Sequence, residues 1–181
     1  MTAPLQETTL HARLADGSLA GSWILDPAQS TVALKSKSMW GLVPVKGTFT
    51  KVEGAGTVSP TGEVSGQITV ATASLDTRNA RRDKHLRSKD FFLAEEHPAI
   101  TFVASKLTPA GDNLSVEGIL TVRGRSNPLT LTSAATSVAG GGVALDATAE
   151  IDRSHYGLTW NQLGMSSMHN TITIHAVFAR G

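Results

Sequence analysis

Along most of this chain, apolar and polar side chains alternate with a period of two, which predicts half-buried β-strands. Val64, Ile68 and Val70 share one face of a segment whose other face carries Ser65, Gln67 and Thr69. Leu114, Val116, Gly118, Leu120 and Val122 oppose Ser115, Glu117 and Thr121, with Ile119 the apolar exception. Val143, Leu145, Ala147, Ala149 and Ile151 repeat the pattern, as do Ile172, Ile174, Ala176 and Phe178. Softer alternation runs through residues 31–37, 45–52, 99–107 and 129–137, and residues 22–26 read as an opening strand. Turn chemistry separates these runs at Asp26-Pro27, Ser59-Pro60-Thr61-Gly62, residues 109–113, Asn127-Pro128 and the triple glycine 140–142.

About eight strands with short connections make an antiparallel meander, and closure into a barrel removes the edges that invite aggregation. The expected fold is therefore all-β: an antiparallel barrel over residues 22–181, preceded by an N-terminal arm, residues 1–21. One element breaks the pattern, a short helix at residues 79–88 after the fourth strand. Asn79 is suited to cap it, and its alanine, arginine, lysine and leucine are good helix formers. Arg81, Arg82, Lys84 and Arg87 make its surface cationic. It reads either as a solvated crossover or as a basic rim that attracts an anionic headgroup or a membrane surface, with Arg81, Arg82 and Lys84 as headgroup candidates.

The run from Arg82 to Phe92, RDKHLRSKDFF, followed by HPAITF from His97 to Phe102, resembles the hallmark segment of the YceI-like family. Further stretches match in order: WILDPAQS from Trp23, VKGTF from Val45, SLDT from Ser74, GILTVRG from Gly118 and IDRSHYG from Ile151. The resemblance covers residues 22–179. It implies a lipocalin-like barrel that binds isoprenoids or other long-chain lipids. It departs at Gln29 and Ser38, where many members carry histidine, so any headgroup contact there differs in this chain.

Composition narrows the chemistry. With 16 basic and 15 acidic residues the net charge is +1, which carries no signature of a nucleic-acid binder. The absence of cysteine excludes disulfides and thiolate chemistry. Residues 1–20 lack a signal-like apolar core, and no run approaches the length of a membrane span, so a soluble, cytoplasmic protein is expected. The six histidines show no compact metal spacing, and Gly164-Met165-Ser166-Ser167-Met168 is not a nucleophile elbow. Asp152 and His155 are read as a structural pair, not an acid–base dyad. No catalytic residue, metal or cofactor is assigned. Arg153 is expected to serve structure, paired with a carboxylate such as Asp83.

Large apolar side chains at loop positions supply the binding hypothesis, because something must cover them. Met39 and Trp40 precede the strand at 45–52, Phe91 and Phe92 follow the helix, and Trp160 and Met165 precede the last strand. With Phe49 and Val70, they are the expected lining or mouth of a lumen holding a long-chain apolar ligand. An isoprenoid, an isoprenoid quinone or a fatty-acid derivative would be carried, stored or sensed there. Two alternatives stay open: an enzyme acting on such a lipid, and an interaction or homodimerisation module whose barrel is filled by its own side chains.

Overall fold

The alternating runs become strands whose apolar faces meet around one axis. The computed structural model describes residues 10–181; the first nine residues of the expected arm lie outside the described part. Helix α1 (Leu10–Ala15) leads into β1 (Gly21–Leu25), β2 (Thr31–Ser38), β3 (Val43–Phe49), β4 (Val52–Val58), β5 (Val64–Ala71) and the short β6 (Leu75–Asp76). Helix α2 (Ala80–Arg87) follows, and then β7 (Ala99–Ala110), β8 (Asn113–Val122), β9 (Arg125–Val138), β10 (Gly142–Asp152) and β11 (His169–Arg180).

All pairings are antiparallel, in the order β1-β4-β5-β7-β8-β9-β10-β11-β2-β3-β6, and a further β1–β11 pairing closes the sheet. Segments β1 and β2 border successive stretches of β11, and β3 and β4 border β2 and β1 in turn. In the same way β5 and β6 border β4 and β3, and each of these three pairs acts as one bent strand, so the segments form a closed eight-stranded barrel.

The inward faces are those that the alternation predicts. Val70, Val116, Leu120, Val122, Ala147 and Ile151 are buried, whereas the exceptional Ile119 points outward and is exposed. Two local features differ from expectation. Residues 52–58, with Gly54 and Gly56, form β4, although glycine is a poor strand former. A Cβ on Gly54 would sit 3.1 Å from Leu25 Cβ and 3.0 Å from the Gln67 carbonyl, so close packing explains the glycine there. The β8–β9 hairpin turns at Arg123-Gly124, both at positive φ, and Asn127-Pro128 lie inside β9. Positive φ at both central positions suits the twist of a two-residue hairpin. Arg123 Nη1 also donates to the Phe91 carbonyl at 2.8 Å, which ties the turn to the segment after α2.

Both ends of the barrel are covered. At one end α1 and its following turn bring Leu14 and the buried Leu19 against Trp23, whose Nε1 donates to the Leu19 carbonyl at 2.9 Å. At the other, Asn79 caps α2 by accepting from the Arg82 amide at 3.0 Å. The chain then turns beneath the helix, with the Phe92 amide donating to the Leu86 carbonyl at 3.0 Å, which buries Phe92.

Candidate functional site

Short inward side chains leave space within the barrel. Beneath α2 lies a chamber of about 290 Å³, at the lower end of the roughly 300–1,000 Å³ usual for ligand pockets. Its wall is aliphatic and aromatic: Val32 and Leu34 from β2, Phe49 from β3, Ile68 and Val70 from β5, and Ile172 and Ile174 from β11. A second chamber of about 160 Å³ continues toward the Trp23 end. Ile68, Phe102, Leu131 and Ile174 line both, so these four residues form the waist between them.

The mouth of the larger chamber is built from α2, the turn after it and the loop between β10 and β11. His85 packs edge-on against Trp160 at 4.5 Å and Phe91 at 5.2 Å between ring centres, and its Nε2 lies 3.0 Å from Asp90 Oδ2. Trp160 and Phe91 are themselves 5.3 Å apart. Such aromatic clusters favour edge or tilted contacts over face-to-face stacking. They form an apolar collar with one polar edge.

Arg153 sits in that mouth, and its surroundings correct the expectation of a carboxylate partner. Asp83 is turned instead to Thr77, accepting from its amide at 3.0 Å and its hydroxyl at 2.5 Å. Arg153 meets backbone carbonyls: Nε donates to Ser167 at 2.9 Å, and Nη1 to Leu158 at 2.7 Å and Trp160 at 2.8 Å. The guanidinium also lies 5.5 Å from the Phe91 ring centre, a cation–π contact. It is buried, and burial lowers its pKa from the usual arginine value while the Asp152 carboxylate opposes the shift. Arginine nevertheless stays protonated at neutral pH. A 3₁₀ turn at Arg153–Tyr156 positions the side chain. Asp152 caps that turn by accepting from the Ser154 amide at 2.9 Å and the Ser154 hydroxyl at 2.5 Å.

Of the residues singled out from sequence, Phe49, Val70, Phe91, Phe92 and Trp160 line the larger chamber. Met39, Trp40 and Met165 do not line it. Met39 and Trp40 are exposed on the loop between β2 and β3, and the Trp40 amide donates to the Met165 carbonyl at 3.1 Å. Arg82 lines the chamber, bonded to Thr77, while Arg81 and Lys84 lie on the exposed side of α2. Gln29 stays in its turn and donates to Asp26 at 2.7 Å, whereas Ser38 lines the chamber. Sequence reasoning missed the part played by Arg153 and the place of His85. Their residue types give no hint of the loop carbonyls and rings that surround them.

Asp152 and His155 are 3.9 Å apart, with His155 largely exposed, and neither lines the chamber. Among the described residues no group of three or more histidines or carboxylates could hold a metal. No helix among them is long and apolar enough to cross a membrane.

The comparison that decides the family covers nearly the whole barrel: the YceI-like domain matches residues 23–179. The chain belongs to the YceI-like family. It is 38% identical over 87 residues to Protein YceI of Escherichia coli O157:H7, covering 47% of this chain and 46% of that one. It is 33% identical over 120 residues to UPF0312 protein plu2095 of Photorhabdus laumondii, covering 65% of this chain and 62% of that one. The chain thus spans about half to two thirds of the length of these relatives. Among solved structures, Burkholderia cenocepacia BcnA superposes with a TM-score of 0.77 at 28% identity, over 84% of this chain and 98% of its own. A polyisoprenoid binding domain from Saccharophagus degradans, implicated in plant cell wall breakdown, shares the YceI-like fold at a TM-score of 0.72 and 15% identity. That superposition covers 88% of this chain and 98% of the other.

Proposed function

We propose that this YceI-like barrel binds, without chemical turnover, one long-chain apolar molecule whose tail lies in the lumen. An isoprenoid, an isoprenoid quinone or a fatty-acid derivative fits that description. The observation that carries this reading is the chamber of about 290 Å³ walled by aliphatic and aromatic side chains, with a second apolar chamber beyond the waist. The Saccharophagus domain described as polyisoprenoid binding shares the fold, which supports an apolar ligand.

Magnitudes favour a long tail. Burying a methylene is worth about 0.8 kcal/mol, whereas association costs roughly 4–15 kcal/mol. A tail of about six carbons barely breaks even on these figures, and one of roughly fifteen or more binds without help from a headgroup.

The exposed rim of Trp40, Leu42 and Leu163 supports exchange of the ligand with a membrane surface, since large apolar groups at loop tips suit an interface. Carriage between membranes is the role this arrangement suits best.

Solvent extraction of the purified protein followed by mass spectrometry tests the reading. A co-purifying long-chain lipid, recovered unchanged after incubation, is expected. Conversion of that lipid on incubation would point to an enzyme. A lipid-free protein that takes up no long-chain compound and dimerises through Trp40 would point to an interaction module.

A further inference from the structure

On the outside of the barrel, one stretch of wall carries charge that the fold leaves unpaired. Leu34 and Val45 line the larger chamber, so by alternation their neighbours Lys35 and Lys46 face outward, and both are exposed. The two lysines stand directly opposite each other on β2 and β3. Like charges in that relation destabilise a sheet. Lys37, nearer the loop that joins these strands, is exposed as well. By register the nearest carboxylates are Asp76, opposite Thr48 and so diagonal to Lys46, and Glu150, separated from Lys35 by Thr171. Asp76 accepts from the Arg78 amide at 2.8 Å. Among the described residues neither carboxylate forms an ion pair with a lysine.

The loop beyond these lysines displays its apolar side chains. Met39, Trp40 and Leu163 take positive φ of 52°, 54° and 56°, a region that large side chains seldom occupy. The Ser167 amide donates to the Lys37 carbonyl at 2.9 Å and, with the Trp40–Met165 bond, joins the β2–β3 and β10–β11 loops into one edge. Trp40, Leu42 and Leu163 are exposed on it. Lys35 lies three residues before Ser38, the end of β2, which sets it back by roughly 10 Å along the strand. That is close to the screening length of about 8 Å at physiological salt. An apolar edge with a tryptophan at its tip and lysines set just behind it is complementary to a bilayer whose surface is anionic.

We propose that this edge docks the barrel on membranes rich in anionic lipid, with Trp40, Leu42 and Leu163 entering the interface and Lys35, Lys37 and Lys46 facing the lipid phosphates. The inference rests on the lumen reading, in which an apolar ligand passes between barrel and bilayer. It adds the lipid class of that bilayer and the strand face turned toward it. The opposed lysines are then kept for docking although they weaken the sheet.

Co-sedimentation of the full chain with vesicles tests the proposal, comparing phosphatidylcholine alone with an equal mixture of phosphatidylglycerol and phosphatidylcholine. The anionic vesicles should bind about tenfold or more tightly, and the preference should shrink as salt rises. Lys35→Glu should lower affinity for the anionic vesicles by about tenfold, as expected for reversing one charge near such a surface. Its melting temperature should match or exceed the parent's, because an opposite-charge pair with Lys46 replaces a like-charge one. Lys106→Glu makes the same change in net charge on β7, toward the opposite end of the barrel, and should alter binding by less than about twofold.

Equal affinity for the two vesicle types would overturn the docking proposal, as would full anionic affinity in Lys35→Glu. Equal losses in Lys35→Glu and Lys106→Glu would also overturn it, since net charge alone would then explain the binding. Uptake of N-phenyl-1-naphthylamine, measured without vesicles, keeps the lumen reading separate. Parent and Lys35→Glu should take up the probe equally. Uptake by a protein with no preference for anionic vesicles overturns docking and leaves the lumen standing, whereas a parent that takes up no probe overturns the lumen reading itself.

Discussion

The Phe102 ring lies directly over Gly118 on the neighbouring strand, so that a Cβ at 118 would come within 2.6 Å of Phe102 Cζ. The two strands run side by side, β7 carrying Phe102 and β8 carrying Gly118, and Phe102 is one of the four waist residues. The glycine therefore sets where the ring lies, and the ring helps set how far a tail can reach. Gly118→Ala forces the ring and the Val103 carbonyl away. It is expected to cost about 1–3 kcal/mol, as overpacked cores do, measured by denaturant unfolding. A variant as stable as the parent would contradict the packing described.

Removing the ring itself should have a second effect. Phe102→Ala is expected to cost about 3–5 kcal/mol of stability. It joins the two chambers, so the longest alcohol that still gains affinity should lengthen. An unchanged length limit would mean that the waist does not restrict the tail.

Filling the lumen should do the reverse. Val70 is buried in the wall of the larger chamber. Val70→Trp should abolish uptake of a neutral apolar probe while leaving a folded barrel, at a stability cost of about 1–3 kcal/mol. Circular dichroism and probe fluorescence check both halves. Unchanged uptake would contradict a ligand site in this chamber.

The strands and their inward faces were legible because burial of one sheet face enforces a period of two. Ile68, Val70, Leu120 and Ile174 needed only that rule. The strand β4 was not legible, since Gly54 and Gly56 are chosen for close approach to Leu25 and the β5 backbone, and glycine reads as a break. The β8–β9 turn was hidden because Arg123 takes up positive φ, which an arginine does not advertise, while Pro128 looks like a turn and is not one. For Arg153 the reason is different. Its partners are main-chain carbonyls, including two from Trp160 and Ser167 well downstream, and side-chain identity says nothing about where a carbonyl points.

Asp152 gives the account a pH dependence. Hydrogen bonds from the Ser154 hydroxyl and then the Ser154 amide hold its pKa below the ordinary carboxylate value. The folded pKa is depressed, so this stabilisation is present above the unfolded value of about 3.9 and is lost as pH falls through the lower folded value. Asp152→Asn should flatten part of the acid limb of a plot of melting temperature against pH. Asp16 and Asp26, shifted the same way by hydrogen bonds from Ser18 and from Gln29 and Ala28, should retain the rest. Identical acid limbs in variant and parent would contradict the capping role.

The exposed rim makes a separate prediction. Trp40 and Leu163 are 67% and 77% exposed, so replacing both with serine should alter stability by no more than about 0.5 kcal/mol. Co-sedimentation with phosphatidylglycerol–phosphatidylcholine vesicles should fall severalfold. Undiminished co-sedimentation would remove the rim from the exchange route.

The most direct measurement of the central claim is the affinity of the unmutated protein for a series of neutral primary alcohols of increasing chain length. Burial of the tail predicts a gain of about fourfold per added methylene, from roughly 0.8 kcal/mol each, until the lumen is full and the gain stops. Affinity that stays flat across the series would contradict a tail-binding lumen.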